Sequence, residues 1–126
     1  MSPLEPMAAV GPSPAVIAAF VQAINAGDMP AMLDLFADDA LVNDELVAYW
    51  GKERVRAWAE RDIFGKKLAV EVGASREHYD HVILSARIRG EFDSRGLPDP
   101  LILTFHLSVA HGRIVQLIIL PVPPEP

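Results

Sequence analysis

The first part of the chain has apolar residues at helical spacing. Ser13 and Pro14 suit the N-cap and first position of a helix. One apolar face follows, formed by Val16, Ile17, Phe20, Val21 and Ile24. Gly27 is suited to end this helix, and Asp28 to cap a second, short one. The apolar side of the second helix consists of Met32, Leu33, Leu35 and Phe36.

A short strand is predicted over residues 41–44, and it ends in the acid Asp44. Residues 45–51 are predicted to form a connection that carries Tyr49 and Trp50. The chain therefore changes from helix to sheet at this point, with a carboxyl group at the strand end.

A third helix is predicted over residues 52–64, closed by Gly65. Its apolar positions are Val55, Trp58, Ala59 and Ile63. Asp62 falls on the same face by spacing, so an acid interrupts a stripe that should face the core. Interruptions of this kind occur at functional or ion-paired sites.

After Gly65 the apolar period changes to two, which predicts strands. Strand patterns begin at Leu68, Val82, Leu101 and Ile114. The last pattern, residues 114–120, is apolar on both faces apart from Gln116. A strand with two apolar faces is covered on both sides, and a second subunit could provide one cover. We therefore expect a homodimer through the outer face of the sheet.

Three helices followed by long strands predict an α+β fold, in which a curved sheet wraps around the helices. Such a cone leaves its mouth between the helices and the inner sheet face, where ligand pockets form. We predict one domain over residues 13–121, a loose and dispensable N-terminal tail over 1–12, and a Pro-rich tail over 122–126.

The composition of the chain limits the kinds of chemistry and of binding partner that are expected. The 126 residues include no cysteine, which excludes disulfides and thiolate chemistry, and 51% are hydrophobic, enough for one core. The net charge of −6 argues against nucleic acid as a partner. No signal peptide and no membrane span are visible, so we expect a soluble, cytoplasmic protein.

Four segments of the chain form a familiar set: Phe20–Asp28, Leu35–Ala40, Gly51–Val55 and Gly112–Val115. Together they resemble the nuclear transport factor 2-like superfamily, in particular its SnoaL-like polyketide cyclase and ketosteroid isomerase-like branch. The resemblance covers roughly residues 14–121. It implies a cystatin-like cone of mixed sheet around three helices, a pocket, and commonly a dimer. The superfamily contains isomerases, cyclases, hydrolases, dehydratases and pure binders, so the fold leaves the function open.

The resemblance to ketosteroid isomerase places Asp44 at the position of the aspartate that abstracts a proton. The two oxyanion donors of that enzyme are a tyrosine on the first helix and a protonated aspartate on the penultimate strand. Their positions here hold Phe20 and Phe105. Loss of one such donor typically costs about 10²–10³ in rate, so ketosteroid isomerisation itself is disfavoured. Polyketide cyclases similar to SnoaL keep a comparable acid, and proton abstraction stays open.

Asp44 and Asp62 are the candidate catalytic residues, each with a structural alternative. Asp44 is either a general base in an apolar pocket or a solvated acid that caps the following turn. Asp62 is either a second pocket carboxyl or the partner of Arg87, Arg89 or Lys66 in a salt bridge. If both acids face one apolar space, we expect one of them to hold its proton to higher pH than normal.

Aromatic residues are the candidate ligand-binding residues: Phe20, Tyr49, Trp50, Trp58 and Phe105. Each could instead be ordinary core. The four histidines lack the spacing of a zinc site. His106 lies on the strand face opposite Phe105, so we expect it outside the cone or at an interface. No metal and no cofactor are assigned.

Three functions stay open. The first is a small-molecule enzyme of the isomerase, cyclase or hydratase type that uses Asp44 on a hydrophobic substrate. The second is a non-catalytic binding module for a hydrophobic ligand, and the third is a structural dimer domain. The missing oxyanion donors favour the second over a standard isomerase, and the acid at position 62 favours the first over the third.

Overall fold

The computed structural model describes residues 12–93 and 95–122, so most of the two predicted tails (1–11 and 123–126) lies outside the described residues. The chain begins with α1 (Pro12–Ala26) and α2 (Met29–Leu33). The third helix, α3 (Lys52–Trp58), continues into a π-helical segment (Ala59–Phe64). The strands are β1 (Phe36–Asp44), β2 (Val47–Trp50), β3 (Ala69–His78), β4 (His81–Arg89), β5 (Leu101–Ala110) and β6 (Arg113–Pro121).

The six strands form one mixed sheet in the order β2-β1-β6-β5-β4-β3. β1 and β6 are parallel, and the other neighbours are antiparallel. The sheet curves around the helices without closing into a barrel. The predicted α+β fold, a curved sheet around three helices, is therefore confirmed. No helix in the described residues is long and apolar enough to cross a membrane.

The core lies between the inner face of the sheet and the helices. At its centre, Phe20 of α1 packs edge-on against Phe36 and Phe105, with ring centroids 6.2 and 6.4 Å apart. Asn25 joins the end of α1 to β3, because its amide donates to the Val70 carbonyl at 2.8 Å and accepts from the Val70 N–H at 2.7 Å. These contacts hold α1 against the sheet.

The region around the first strand differs from the prediction. β1 begins at Phe36, five residues before the predicted start, because Phe36 pairs with Ile114 of β6. The predicted connection after Asp44 is a tight hairpin into β2. Its turn residues Glu45 and Leu46 have positive φ angles of 50° and 76°, as two-residue hairpin turns require. Neither residue is the glycine or asparagine that would have indicated such a turn from the sequence.

The predicted third helix has the correct span but a different geometry in its second half. The Gly65 N–H donates to the Glu60 carbonyl at 2.8 Å, a spacing of five residues. The wider turn changes which residues share a face, so a stripe drawn at 3.6 residues per turn is only approximate beyond Trp58.

The final strand also has a different face pattern. β6 carries a bulge at Val115, because Ser108 pairs with Gln116 while Val109 pairs with Ile114. Strict alternation along the strand predicts that Ile114 lies on the outer face with Ile118 and Leu120. Because of the bulge, Ile114 instead joins Leu117 and Ile119 on the buried inner face.

Candidate functional site

A cavity of about 720 Å³ opens between the π-helical segment, the inner sheet face and the loop after β4. Most of its wall is apolar, formed by residues such as Ile63, Leu68, Ile88, Phe92, Leu103, Phe105 and Ile119. The polar groups on the wall include Asp44, Tyr49, Asp62 and Lys66. An apolar cavity with a few convergent polar groups is the usual form of a small-molecule site.

Asp44 lies at the end of β1 and is fixed there from two sides. The Glu45 N–H donates to the Ile119 carbonyl of β6 at 3.0 Å, and the Asn43 side chain accepts from the Leu46 N–H at 2.9 Å within the hairpin turn. Both contacts hold the backbone around Asp44, so its side chain is presented to the cavity by rigid sheet.

The Asp44 carboxylate accepts a hydrogen bond from the indole N–H of Trp58, with 2.9 Å between Nε1 and Oδ2. Burial raises the pKa of Asp44 above its ordinary value of 3.8. The hydrogen bond from Trp58 acts against this shift, while the negative charge of Asp62 adds to it. A carboxylate in this state is a stronger base than one in water.

Asp62 is also on the cavity wall, but it is held in an ion pair. The Arg61 guanidinium donates to both of its oxygens, at 3.1 Å from Nε and 2.7 Å from Nη2. Lys66 lies one turn further on, with 3.5 Å between Nζ and Oδ1. The hydrogen bonds from Arg61 lower the pKa of Asp62. The pKa values of the two carboxyls are therefore shifted in opposite directions, as in an acid–base pair. Asp44 is the one that holds its proton to higher pH.

The alternative that Asp62 forms a salt bridge is confirmed for one predicted partner, Lys66. The i, i+4 spacing of these two residues is visible in the sequence. Arg61, the closer partner, was missed, because adjacent residues on a regular helix point in different directions. Arg89, another predicted partner, lies 3.4 Å from Glu71 instead.

Tyr49 of β2 connects the ion pair to the Asp44 side of the cavity. Arg61 Nη2 donates to the Tyr49 phenol oxygen at 2.8 Å, and the guanidinium carbon lies 5.6 Å from the ring centroid. The Tyr49 ring also lies 6.3 Å from the ring of Trp58, centroid to centroid. Trp58 thus contacts both Asp44 and Tyr49.

The structure places only two of the five predicted aromatic residues, Tyr49 and Phe105, on the cavity wall. Phe20 and Trp58 are core residues, with 1% and 0% of their surface exposed. Trp50 is 63% exposed, because it pairs with Leu41 on the outer face while its neighbour Tyr49 pairs with the buried Val42. The cavity wall also includes Phe92, Leu97 and Pro98, which lie between β4 and β5 and were not among the predicted site residues.

His106 points to the outer face of the sheet, where it pairs with Ile83 and Ile118. Its ring lies 6.0 Å from that of His81, and burial together with His81 lowers its pKa. Within residues 12–93 and 95–122, no three His, Asp or Glu side chains come together as a metal site would require.

A curved sheet around three helices is the fold of the nuclear transport factor 2-like superfamily, the class that includes SnoaL-like domains. The sequence of residues 17–117 matches the SnoaL-like domain, so the chain belongs to the family of SnoaL-like domain proteins. No curated protein matches the chain.

Solved structures with the same fold include a provisionally named polyketide cyclase of Sinorhizobium meliloti. It is 25% identical with a TM-score of 0.74, over 82% of this chain and 92% of that one. A Mycobacterium tuberculosis protein in complex with estradiol-17beta-hemisuccinate is 19% identical with a TM-score of 0.71, over 86% and 92% of the two chains. A computationally designed 17-OHP binder is 18% identical with a TM-score of 0.71, over 90% and 92%.

Proposed function

We propose that this chain binds a small hydrophobic molecule in its cavity and that Asp44 transfers a proton to or from that molecule. The observation that carries the proposal is the Asp44 carboxylate on a mostly apolar wall, with a raised pKa and a hydrogen bond from Trp58. A general base works best when its pKa lies closer to the working pH than that of a free carboxyl.

In this proposal Trp58 and Asp62 assist Asp44 in different ways. Trp58 holds one carboxylate oxygen, Oδ2, and fixes the orientation of the group. Asp62 stays ionised through Arg61 and Lys66, and its charge adds to the rise in the pKa of Asp44 that burial produces. Asp62 therefore acts through its charge, and Asp44 carries the proton.

Two of the structures with the same fold support a hydrophobic ligand. One is a complex with estradiol-17beta-hemisuccinate, and the other was designed to bind 17-OHP. At 19% and 18% identity they share the fold with this chain. They support the use of this cavity for a molecule of that size and polarity.

The second candidate function is a binding module without catalysis. The positions of Phe20 and Phe105 carry no hydrogen-bond donor for a developing negative charge, and this observation favours the binding module. A ligand would then be held by the apolar wall and anchored by Asp44.

Hydrogen–deuterium exchange into a hydrophobic ketone tests proton transfer without knowledge of the natural substrate. We take 2-acetylnaphthalene as the probe and follow the loss of its methyl proton signal in D₂O by NMR. The wild-type protein should accelerate exchange, and the rate should rise with pH as Asp44 loses its proton. Asp44→Asn should lower the rate by roughly 10²-fold or more, since positioned bases typically contribute 10²–10⁴-fold.

Asp39→Asn is the matched control, because Asp39 is an exposed acid on the same strand. It should exchange the probe at the wild-type rate. Binding of the ketone without accelerated exchange would contradict proton transfer and support the binding module. Equal exchange by wild type and Asp44→Asn would remove Asp44 from the reaction.

We also propose that the chain forms a homodimer through the outer face of the sheet. Ile83, Ile118 and Leu120 support it, because these apolar side chains point outward and are only partly buried by their own chain. Sedimentation should give a dimer at micromolar concentration, and Ile118→Lys should shift it to monomer. A monomeric wild type would contradict this interface.

A further inference from the structure

We propose that Tyr49, held by Arg61, donates a hydrogen bond to a carbonyl oxygen of the ligand, so that the substrate is a hydrophobic carbonyl compound with a removable proton beside the carbonyl. This inference rests on the proposed function of Asp44. It assigns the group that would stabilise the negative charge formed on the ligand when Asp44 removes a proton.

The sheet places Tyr49 beside Asp44. In the β1–β2 hairpin Asp44 pairs with Val47, and Val42 pairs with Tyr49. Asp44 and Tyr49 are therefore diagonal neighbours on the same inner face, and backbones in this relation lie about 7–8 Å apart. Both side chains line the cavity, and both contact Trp58. A ligand bound in the cavity can therefore contact both side chains.

Arg61 determines how the Tyr49 hydroxyl can be used. A guanidinium only donates, so the phenol oxygen is the acceptor in the 2.8 Å contact with Arg61 Nη2. The hydrogen of the phenol is therefore left for another acceptor, and no protein group in residues 12–93 and 95–122 accepts it. A donor that receives a hydrogen bond from a cation is polarised and donates more strongly.

Asp62 makes this arrangement rigid. It receives the Nε and Nη2 hydrogens of Arg61, and the same Nη2 reaches Tyr49. Arg61 and Asp62 are thus positioning residues for Tyr49. An ion pair at the rim of the cavity explains why an acid interrupts the apolar face of this helix.

The proton transfer can be written with this donor. An oxygen of the Asp44 carboxylate takes the proton from the carbon beside the carbonyl. The electrons of that C–H bond form a carbon–carbon double bond, and the carbonyl π electrons move to oxygen. The resulting enolate oxygen accepts the Tyr49 hydrogen bond. Return of a proton or deuteron from Asp44 to carbon restores the ketone, and no other reactant is needed.

A matched pair of ligands isolates the hydrogen bond. 2-Acetylnaphthalene has a carbonyl oxygen, and 2-isopropenylnaphthalene has a CH₂ group in its place with nearly the same shape. Tyr49→Phe should weaken binding of the ketone roughly fivefold, the ratio that one net neutral hydrogen bond supports, and leave the alkene unchanged. The maximal exchange rate of the ketone at saturation should fall by about 10²-fold.

Two further variants complete the experiment. Tyr79→Phe is the control, because Tyr79 is the other tyrosine of the chain and is 91% exposed in the β3–β4 turn. It should change neither affinity nor exchange. Arg61→Met should lower the ratio of ketone to alkene affinity in the same direction as Tyr49→Phe, whereas Arg54→Met, at another exposed position on the same helix, should leave the ratio unchanged.

The outcomes separate this inference from the proposed function. If exchange depends on Asp44 while Tyr49→Phe leaves both the ketone-to-alkene ratio and the exchange rate at wild-type values, Tyr49 is not the donor and Asp44 keeps its role. An equal loss of affinity for both ligands would show a packing role for Tyr49 and overturn the inference. If wild type binds neither ligand, the proposed function fails and this inference fails with it.

Discussion

The two ends of the space between sheet and helices are built differently. One end is filled: Phe20, Phe36 and Phe105 pack edge to face at ring distances of 6.2 and 6.4 Å. The other end is open, and its wall carries Asp44 and Tyr49. Phe105 belongs to both ends, since it packs on Phe20 and also lines the cavity.

This difference shows where polar chemistry can be placed in such a fold. The filled end has phenylalanines at the positions where the resemblance to ketosteroid isomerase places two donors, so it supplies packing energy only. The polar groups lie at the open end, on β1, β2 and the π-helical segment. We infer that the filled end of the core contributes most of the packing stability and that the open end holds the binding site.

The largest expected effect is the loss of packing at the filled end. Phe20→Ala should lower the free energy of unfolding by about 3–5 kcal/mol, the range for a buried phenylalanine. Leu97→Ala, at a half-exposed position on the cavity wall, should cost less than about 1 kcal/mol, because its side chain already faces open space. Urea denaturation measures both. Similar losses of unfolding free energy for the two variants would contradict the proposed difference between the two ends.

A smaller effect is expected from the two acids, with opposite signs. The folded pKa of Asp44 is raised, so its contribution to stability is complete below the unfolded pKa and is lost as pH rises through the folded pKa. Asp44→Asn should therefore be more stable than wild type at pH 7, by less than about 1 kcal/mol because solvent in the open cavity screens the charge. The difference should vanish at acidic pH, below the unfolded pKa.

Asp62 should behave in the opposite way. Its folded pKa is lowered, so its stabilising contribution is present above the unfolded pKa and is lost as pH falls through the folded pKa. Asp62→Asn should be less stable than wild type at pH 7 by up to about 1 kcal/mol, the usual range of a solvent-exposed ion pair. Thermal unfolding of both variants from acidic to neutral pH measures the two trends. Parallel trends would contradict the assignment of different roles.

The sequence was sufficient to predict the fold and to single out the two acids that line the cavity. Helical spacing and then alternation predicted the α+β order, and the interrupted stripe singled out Asp62. The resemblance to the superfamily singled out Asp44. These predictions depend on local periodicity and on strand ends, which are visible in a single sequence.

Apart from Lys66, the partners of the two acids could not be predicted in the same way. The β1–β2 hairpin uses Glu45 and Leu46 in a turn that usually requires glycine or asparagine, so β2 was missed. Without β2, nothing indicated that Tyr49 points inward and Trp50 outward. The contact of Arg61 with Asp62 and Tyr49 arises in the π-helical segment, where regular helical spacing no longer applies.

The most direct test of the central claim is the ionisation of Asp44 itself. A ¹³C NMR titration of the aspartate carboxyl carbons, assigned with Asp44→Asn and Asp62→Asn, gives both values in one sample. We predict that Asp44 titrates above its ordinary value of 3.8 and Asp62 below it, with Asp44 the higher of the two. If Asp44 titrates at or below 3.8, or below Asp62, the cavity holds no tuned base and the proposed proton transfer is contradicted.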